Sequence, residues 1–181
     1  MLLDALGVPE DRMAGLIARL SARGQTVACA ESLTGGLVCA ALTAIPGSSA
    51  VVRGGLVVYA TELKATLAGV DERLLAEHGA VHPEVAAALA RGARQRCAAD
   101  FGVGLTGVAG PDPQDGVPPG TVYLAVAAPH GLTSTTLRAP GDRHAVRSAA
   151  LVGVLDLLDS ASDVGRTDVG RTDVGRTDAG E

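Results

Sequence analysis

From residue 10 to residue 158, short apolar strands alternate with segments of helical period, and one late hairpin interrupts the series. That order constrains the fold more than any other feature. Met13, Leu16, Ile17 and Leu20 recur at helical spacing over residues 10–22, and Gly24 stops that helix. A short strand is predicted over Thr26–Ala30, a helix over Thr34–Ala44 closed by Pro46-Gly47, and a second strand over Gly55–Tyr59. Helices follow over Thr61–Leu67 and residues 71–78. A longer helix opens at Pro83, a residue suited to a first helical turn, and ends near Cys97. Val103–Thr106 reads as a third strand, running into Gly107-Val108-Ala109-Gly110-Pro111 and then a polar, proline-rich loop to Pro119. Thr121–Ala127 and Leu132–Leu137 form a hairpin around His130-Gly131, and Asp142–Leu158 is the last helix. Helices between strands, plus one hairpin, predict a single α/β domain: a three-layer α/β/α sandwich with a mixed sheet.

With 181 residues the chain can bury a sizeable core. Aromatics are only 2% of it, so Ala, Val and Leu must build that core. The net charge of −5 argues against a duplex nucleic-acid partner. No apolar stretch approaches the ~18 residues of a membrane span. Cys29, Cys39 and Cys97 have no metal-ligand spacing and are odd in number. Without a signal peptide they are expected to be reduced thiols in a cytoplasmic protein. From Asp163 the pentad Asp-Val-Gly-Arg-Thr recurs, then again from Asp168 and Asp173. So polar a repeat cannot offset its ordering entropy. It predicts a domain over residues 1–159 and a disordered tail over 160–181.

The chain has one lysine; its fourteen other cationic residues are arginine. Lys64 stands five residues after Tyr59. Lysine becomes a general base when its pKa is depressed, and arginine cannot. As an ordinary residue Lys64 would be a solvated helix position and Tyr59 a strand aromatic. Two things weigh the other way: this chain otherwise places arginine on exposed faces, and Tyr59 closes a strand where open α/β sheets bind ligands. Burial near Arg53 or Arg143 would depress the lysine by desolvation and like charge.

Ser32 lies in Ala30-Glu31-Ser32-Leu33-Thr34-Gly35-Gly36, between strand and helix. A serine there can simply cap the helix. Gly35 and Gly36 also allow another group to reach the helix-start N–H donors, which could hold an oxyanion beside a serine nucleophile. Thr106, Gly107, Ala109 and Gly110 form a second glycine-rich loop after a strand, a candidate substrate wall. Arg143 and Arg147, one turn apart, either hold a phosphate or are solvated. His78 and His82 invite a zinc reading, but Gly79 breaks the helix between them and no third ligand is evident, so no metal is expected.

Together these segments resemble the CinA C-terminal domain family, whose stand-alone members include nicotinamide-nucleotide amidases. The likeness runs from Leu16 to Leu158. It rests on the Ala30–Gly36 segment, Pro46-Gly47-Ser48-Ser49, Tyr59 with Lys64, Leu67-Ala68-Gly69-Val70, Glu77-His78-Gly79-Ala80-Val81, Thr106–Pro111 and Gly120-Thr121-Val122. The resemblance implies an α/β/α fold and hydrolysis of the carboxamide of nicotinamide mononucleotide to the acid and ammonia, without a cofactor. It implies Ser32 as nucleophile, Lys64 as its base and Tyr59 assisting proton transfer or orienting the lysine. The Thr106 loop would line the pocket, with Arg143 or Arg147 facing the phosphate. Two positions depart from the family: Ala60-Thr61 replaces a common Ser-Asn, and His82 a common Ser. Larger members carry an N-terminal pyrophosphatase domain with no counterpart here, so that activity is expected to be absent. The expected partner is a pyridine nucleotide, and a homo-oligomer is compatible with the sequence. A different class of function, a ligand-binding or regulatory module that turns over poorly, would use the same pocket.

Overall fold

A computed structural model describes residues 2–163. It contains α1 (Leu2–Ala5), α2 (Glu10–Ala22), β1 (Val27–Glu31), α3 (Leu37–Thr43), β2 (Val52–Val57), α4 (Thr61–Thr66), α5 (Glu72–His78), α6 (Pro83–Arg96), β3 (Phe101–Gly107), β4 (Thr121–Ala128), β5 (Gly131–Arg138) and α7 (Arg143–Asp163). A 3-10 turn at Ser48–Ala50 leads into β2. The strands form one sheet in the order β2-β1-β3-β4-β5. β2, β1 and β3 run parallel, while β4 and β5 are antiparallel additions. The sandwich with a mixed sheet is therefore as expected.

The pleat assigns the two faces. Val27, Cys29, Phe101, Val103, Leu105, Val122, Leu124 and Val126 point to one face, against α2, α3 and α7. Ala28 and Ala30 point to the other, against Val85, Leu89 and Ala93 of α6. Small residues let α6 lie almost on the sheet. A Cβ at Gly104 would fall 2.2 Å from the Ala90 nitrogen, and one at Gly102 would fall 2.0 Å from the Ala90 carbonyl oxygen. With few aromatics available, close approach of alanine to glycine replaces bulk as the packing device on this face.

Element ends differ from the sequence reading for local reasons. β2 starts at Val52 and ends before Tyr59, because β1 recruits its early residues: the Val27 N–H donates to the Val51 carbonyl at 2.8 Å. α3 starts at Leu37 rather than Thr34, because Gly35 and Gly36 take positive φ values of 60° and 97°. α7 continues through Asp163, over four residues that the repeat-based boundary assigns to the tail. Arg23, just beyond α2, holds this extension: its Nη1 donates to the Ser162 carbonyl at 2.6 Å and its Nη2 lies 3.7 Å from Asp163 Oδ1. The remainder of the predicted tail, 164–181, lies outside the described residues.

Parallel register places the site. Glu31 pairs with Val57 on one side and Leu105 on the other. The segments after β1, β2 and β3 therefore leave the sheet side by side, at the carboxyl edge where open α/β sheets bind ligands.

Candidate active site

Ser32 is the first residue beyond β1 and is buried. Its N–H donates to the Leu105 carbonyl at 3.2 Å, which fixes it against β3. It is not the cap of α3; Gly36 occupies that position, without a side-chain cap bond. The helix start is satisfied instead by Glu31. Its Oε2 accepts from the Gly36 N–H at 3.0 Å and the Val38 N–H at 3.1 Å, and its Oε1 accepts from the Cys39 N–H at 2.8 Å. The Gly35 N–H donates to the Ser32 carbonyl at 3.0 Å. The donors that looked available to an oxyanion at Gly35 and Gly36 are thus used within the chain. A fully buried carboxylate beside a helix start is a favourable charge–dipole arrangement. The sequence signal for it was present, an acid immediately before the glycine-rich turn, yet it pointed to no particular partner.

Lys64 sits on the short helix α4 and is 1% exposed. Its Nζ lies 3.1 Å from Ser32 Oγ, 2.9 Å from the Val58 carbonyl oxygen and 3.4 Å from the Tyr59 carbonyl oxygen. In the ammonium form all three N–H groups have acceptors. In the neutral form two N–H groups keep the carbonyls, and the lone pair is left for the Ser32 hydroxyl. Burial pushes the Lys64 pKa down, while the carboxylates of Glu62 and Asp115 partly oppose that shift. The depression comes from desolvation and not from like charge at Arg53 or Arg143. Arg53 Nε donates to the Cys97 carbonyl at 3.1 Å.

Tyr59 is 59% exposed, and its phenol is hydrogen-bonded to neither Lys64 nor Ser32; its carbonyl accepts from the lysine. The phenolic oxygen accepts from Arg143 Nη2 at 2.8 Å, and Arg143 Nη1 donates to the Gly110 carbonyl at 3.0 Å. The pair closes one side of a cavity of about 330 Å³ lined also by Ser32, Leu33, Thr106, Gly107, Ala109, Gly110, Asp112 and Gln114. Arg143 faces this cavity. Arg147 does not line it: Nη2 donates to the Thr34 carbonyl at 2.7 Å and braces the turn after Ser32. Gly35 and Gly36 also lie outside the lining.

Ala80, Val81 and Asp115, given no role in the sequence reading, complete the site. Thr106 Oγ1 donates to the Ala80 carbonyl at 2.8 Å, and the Ala80 N–H donates to Asp115 Oδ2 at 3.3 Å. Ala80 and Val81 line the cavity, so this chain of bonds ties the α5–α6 junction to the end of β3 and to the 112–119 loop. The contacts are long-range in sequence and leave no local pattern.

The histidine junction does acquire a third polar group, since His78, His82 and Glu84 offer ligand atoms within 4.8 Å of one another. The geometry opposes coordination. The imidazoles are stacked with centroids 4.2 Å apart and planes 8° apart, so their in-plane lone pairs cannot converge at bonds of about 2.0–2.1 Å. His82 Nδ1 is also engaged, accepting the Glu84 N–H at 3.3 Å as the cap of α6.

Fold and geometry define an α/β domain with a buried serine–lysine pair at the carboxyl ends of parallel strands. The model of the CinA C-terminal domain matches residues 10–162. A CinA-like protein of Frankia casuarinae is 48% identical over 153 residues, covering 84% of this chain and 35% of that protein. One from Acidobacterium capsulatum is 51% identical over 140 residues, covering 77% of this chain and 34% of that protein. Among solved structures, the competence/damage inducible protein CihA of Agrobacterium tumefaciens superposes with a TM-score of 0.81 at 37% identity, covering 84% of this chain and 94% of that one. A CinA superfamily protein of Klebsiella pneumoniae gives 0.82 at 29% identity, covering 86% and 98%. The chain belongs to the CinA C-terminal domain family. It spans about a third of the length of the curated relatives it matches. Among the described residues no helix is long and apolar enough to cross a membrane.

Proposed function

We propose that this chain is an amidohydrolase that converts nicotinamide mononucleotide to nicotinic acid mononucleotide and ammonia. The observation that carries the chemistry is the 3.1 Å approach of a buried, pKa-depressed Lys64 Nζ to Ser32 Oγ. The substrate follows from the family resemblance. A cavity rimmed by Arg143 and open to Ser32 supports it, because it can take a small molecule with an anionic group at one end.

In this reading neutral Lys64 takes the Ser32 proton as Oγ bonds to the carboxamide carbon. The C–N bond then breaks, and the lysine proton leaves with the amine as ammonia. Water, deprotonated by neutral Lys64, then adds to the acyl carbon; the ester C–O bond breaks and the lysine returns that proton to Ser32 Oγ. We assign the oxyanion to backbone N–H groups of the cavity-lining loops, since the start of α3 is held by Glu31. The side chain of Tyr59 holds Arg143 for the phosphate, and its carbonyl aims Lys64.

The test is ammonia release from the mononucleotide by purified protein, with Ser32→Ala as control. Turnover lost in the variant supports the reading. Binding of the mononucleotide without ammonia release would make the domain a ligand-binding module instead.

A further inference from the structure

Cys29 on β1 and Cys39 on α3 face each other in the layer that carries Ser32. Their side chains converge on Gly55 of β2, the register partner of Cys29. Gly55 makes room for both sulfurs. A Cβ at that position would lie 2.9 Å from Cys39 Sγ and 3.2 Å from Cys29 Sγ. Cys29 is fully buried, whereas Cys39 is partly exposed. Cys39 is the third residue of α3, and its N–H is held by Glu31. Its pKa is pulled down to about 7, first by the neighbouring Cys29 thiol and against the effects of burial and of the Glu31 carboxylate. Cys97 stands apart: its sulfur approaches Gly54, on the opposite face of β2, at 3.9 Å from the Cβ position there.

Glu31 connects this pair to the active site. Its Oε1 lies 3.5 Å from Cys29 Sγ and 2.8 Å from the Cys39 nitrogen. Its Oε2 holds the N–H groups of Gly36 and Val38, and the next residue is Ser32.

We infer that Cys29 and Cys39 form a peroxide-oxidisable dithiol, and that closing it acts on the Ser32 turn through Glu31. The Cys39 thiolate attacks one oxygen of hydrogen peroxide. An S–O bond forms, the O–O bond breaks and hydroxide leaves; sulfur is oxidised and peroxide reduced. Cys29 Sγ then attacks the sulfenic sulfur. The S–S bond forms, the S–O bond breaks, and hydroxide departs with the Cys29 proton as water. Closure removes the Cys29 S–H from Glu31 Oε1 and draws the first turn of α3 toward β1. The bridge itself is independent of the amidase reading; its effect on turnover rests on that reading.

The test treats the reduced full chain with hydrogen peroxide and maps peptides without reductant. No arginine or lysine lies between Gly24 and Val52, so trypsin leaves both cysteines on one fragment; cleavage after Glu31 separates them. The expected product keeps the two pieces joined, with the loss of two hydrogens and with the Cys97 thiol still titratable. Cys39→Ser should abolish the bridge, and Cys97→Ser should retain it. Three intact thiols, a bridge through Cys97 or a bridge between chains would each overturn the proposal. The coupling is read by comparing mononucleotide turnover in the reduced and oxidised chains. If the reduced chain turns nothing over, labelling of Ser32 by a serine-acylating probe replaces that readout. A several-fold fall on oxidation, reversed by dithiothreitol, is expected; an unchanged rate with the bridge formed overturns the coupling.

Discussion

Lys64 Nζ and Ser32 Oγ lie 3.1 Å apart although one belongs to helix α4 and the other to the turn after β1. Two elements set this distance. The Ser32 N–H is bonded to β3, and the Lys64 amine is bonded to the carbonyls of Val58 and Tyr59 just beyond β2. The lysine is therefore positioned by backbone, which is rigid, and the serine by the sheet.

A base must lose its proton at working pH, and arginine cannot do so. Lys64→Arg keeps the charge but should lower kcat by at least ~10³-fold, close to the effect of Ser32→Ala. The double variant should be scarcely worse than either single one, because the two residues act as a unit. Steady-state ammonia release for the three variants checks this. Substantial activity in Lys64→Arg would reduce the lysine to a positive charge.

The Tyr59 phenol binds Arg143 and not the lysine, so its hydroxyl should matter for binding more than for chemistry. Tyr59→Phe removes one hydrogen bond worth about 0.5–1.5 kcal/mol. KM should rise roughly two- to tenfold, with kcat changed little. Arg143→Ala should do the same, and a double-mutant cycle should show the two coupled. A fall in kcat with KM unchanged would return the phenol to proton transfer.

The strand–helix alternation and the lone lysine made the fold and the Ser32–Lys64 pair legible, because both leave local marks: period, composition and position after a strand. What stayed hidden depends on contacts distant in sequence. Arg143 and Arg147 look equivalent by spacing, yet one faces the cavity and the other grips the Thr34 carbonyl, a difference set by how α7 lies on the sheet. The start of α3 looked like a free anion site because no sequence rule says that the Glu31 side chain folds forward onto it.

Glu31 is expected to be the chief prop of the Ser32 turn. Glu31→Ala leaves the N–H groups of Gly36, Val38 and Cys39 without their acceptor. At about 1–3 kcal/mol for each buried donor left unpaired, the loss should be roughly 3 kcal/mol or more. Glu31→Gln retains one acceptor oxygen and should cost less. Urea unfolding checks both. Wild-type stability in Glu31→Ala would show that water or a neighbouring group replaces the carboxylate.

Lys64 should also trade stability for function. Burial depresses its pKa in the folded chain, while an unfolded lysine titrates near 10.4. Between those two values the unfolded state binds more protons, so this group's contribution to stability rises with pH across that window. Below the folded pKa the full cost of burying the ammonium is present; as pH rises toward 10.4 it disappears. Lys64→Met, neutral and of similar length, gives up the bonds to the Val58 and Tyr59 carbonyls but buries no ammonium, so it should be inactive and its stability relative to the wild type should be highest at neutral pH. Its unfolding free energy relative to the wild type should fall as pH rises through the window, while wild-type kcat climbs over the lower part of the same range as the amine deprotonates. Denaturant melts of both proteins at several pH values, beside a pH–rate profile, test the linkage. A stability difference that is flat with pH would mean that Lys64 titrates alike in the folded and unfolded chains, and the base role would lose its physical footing.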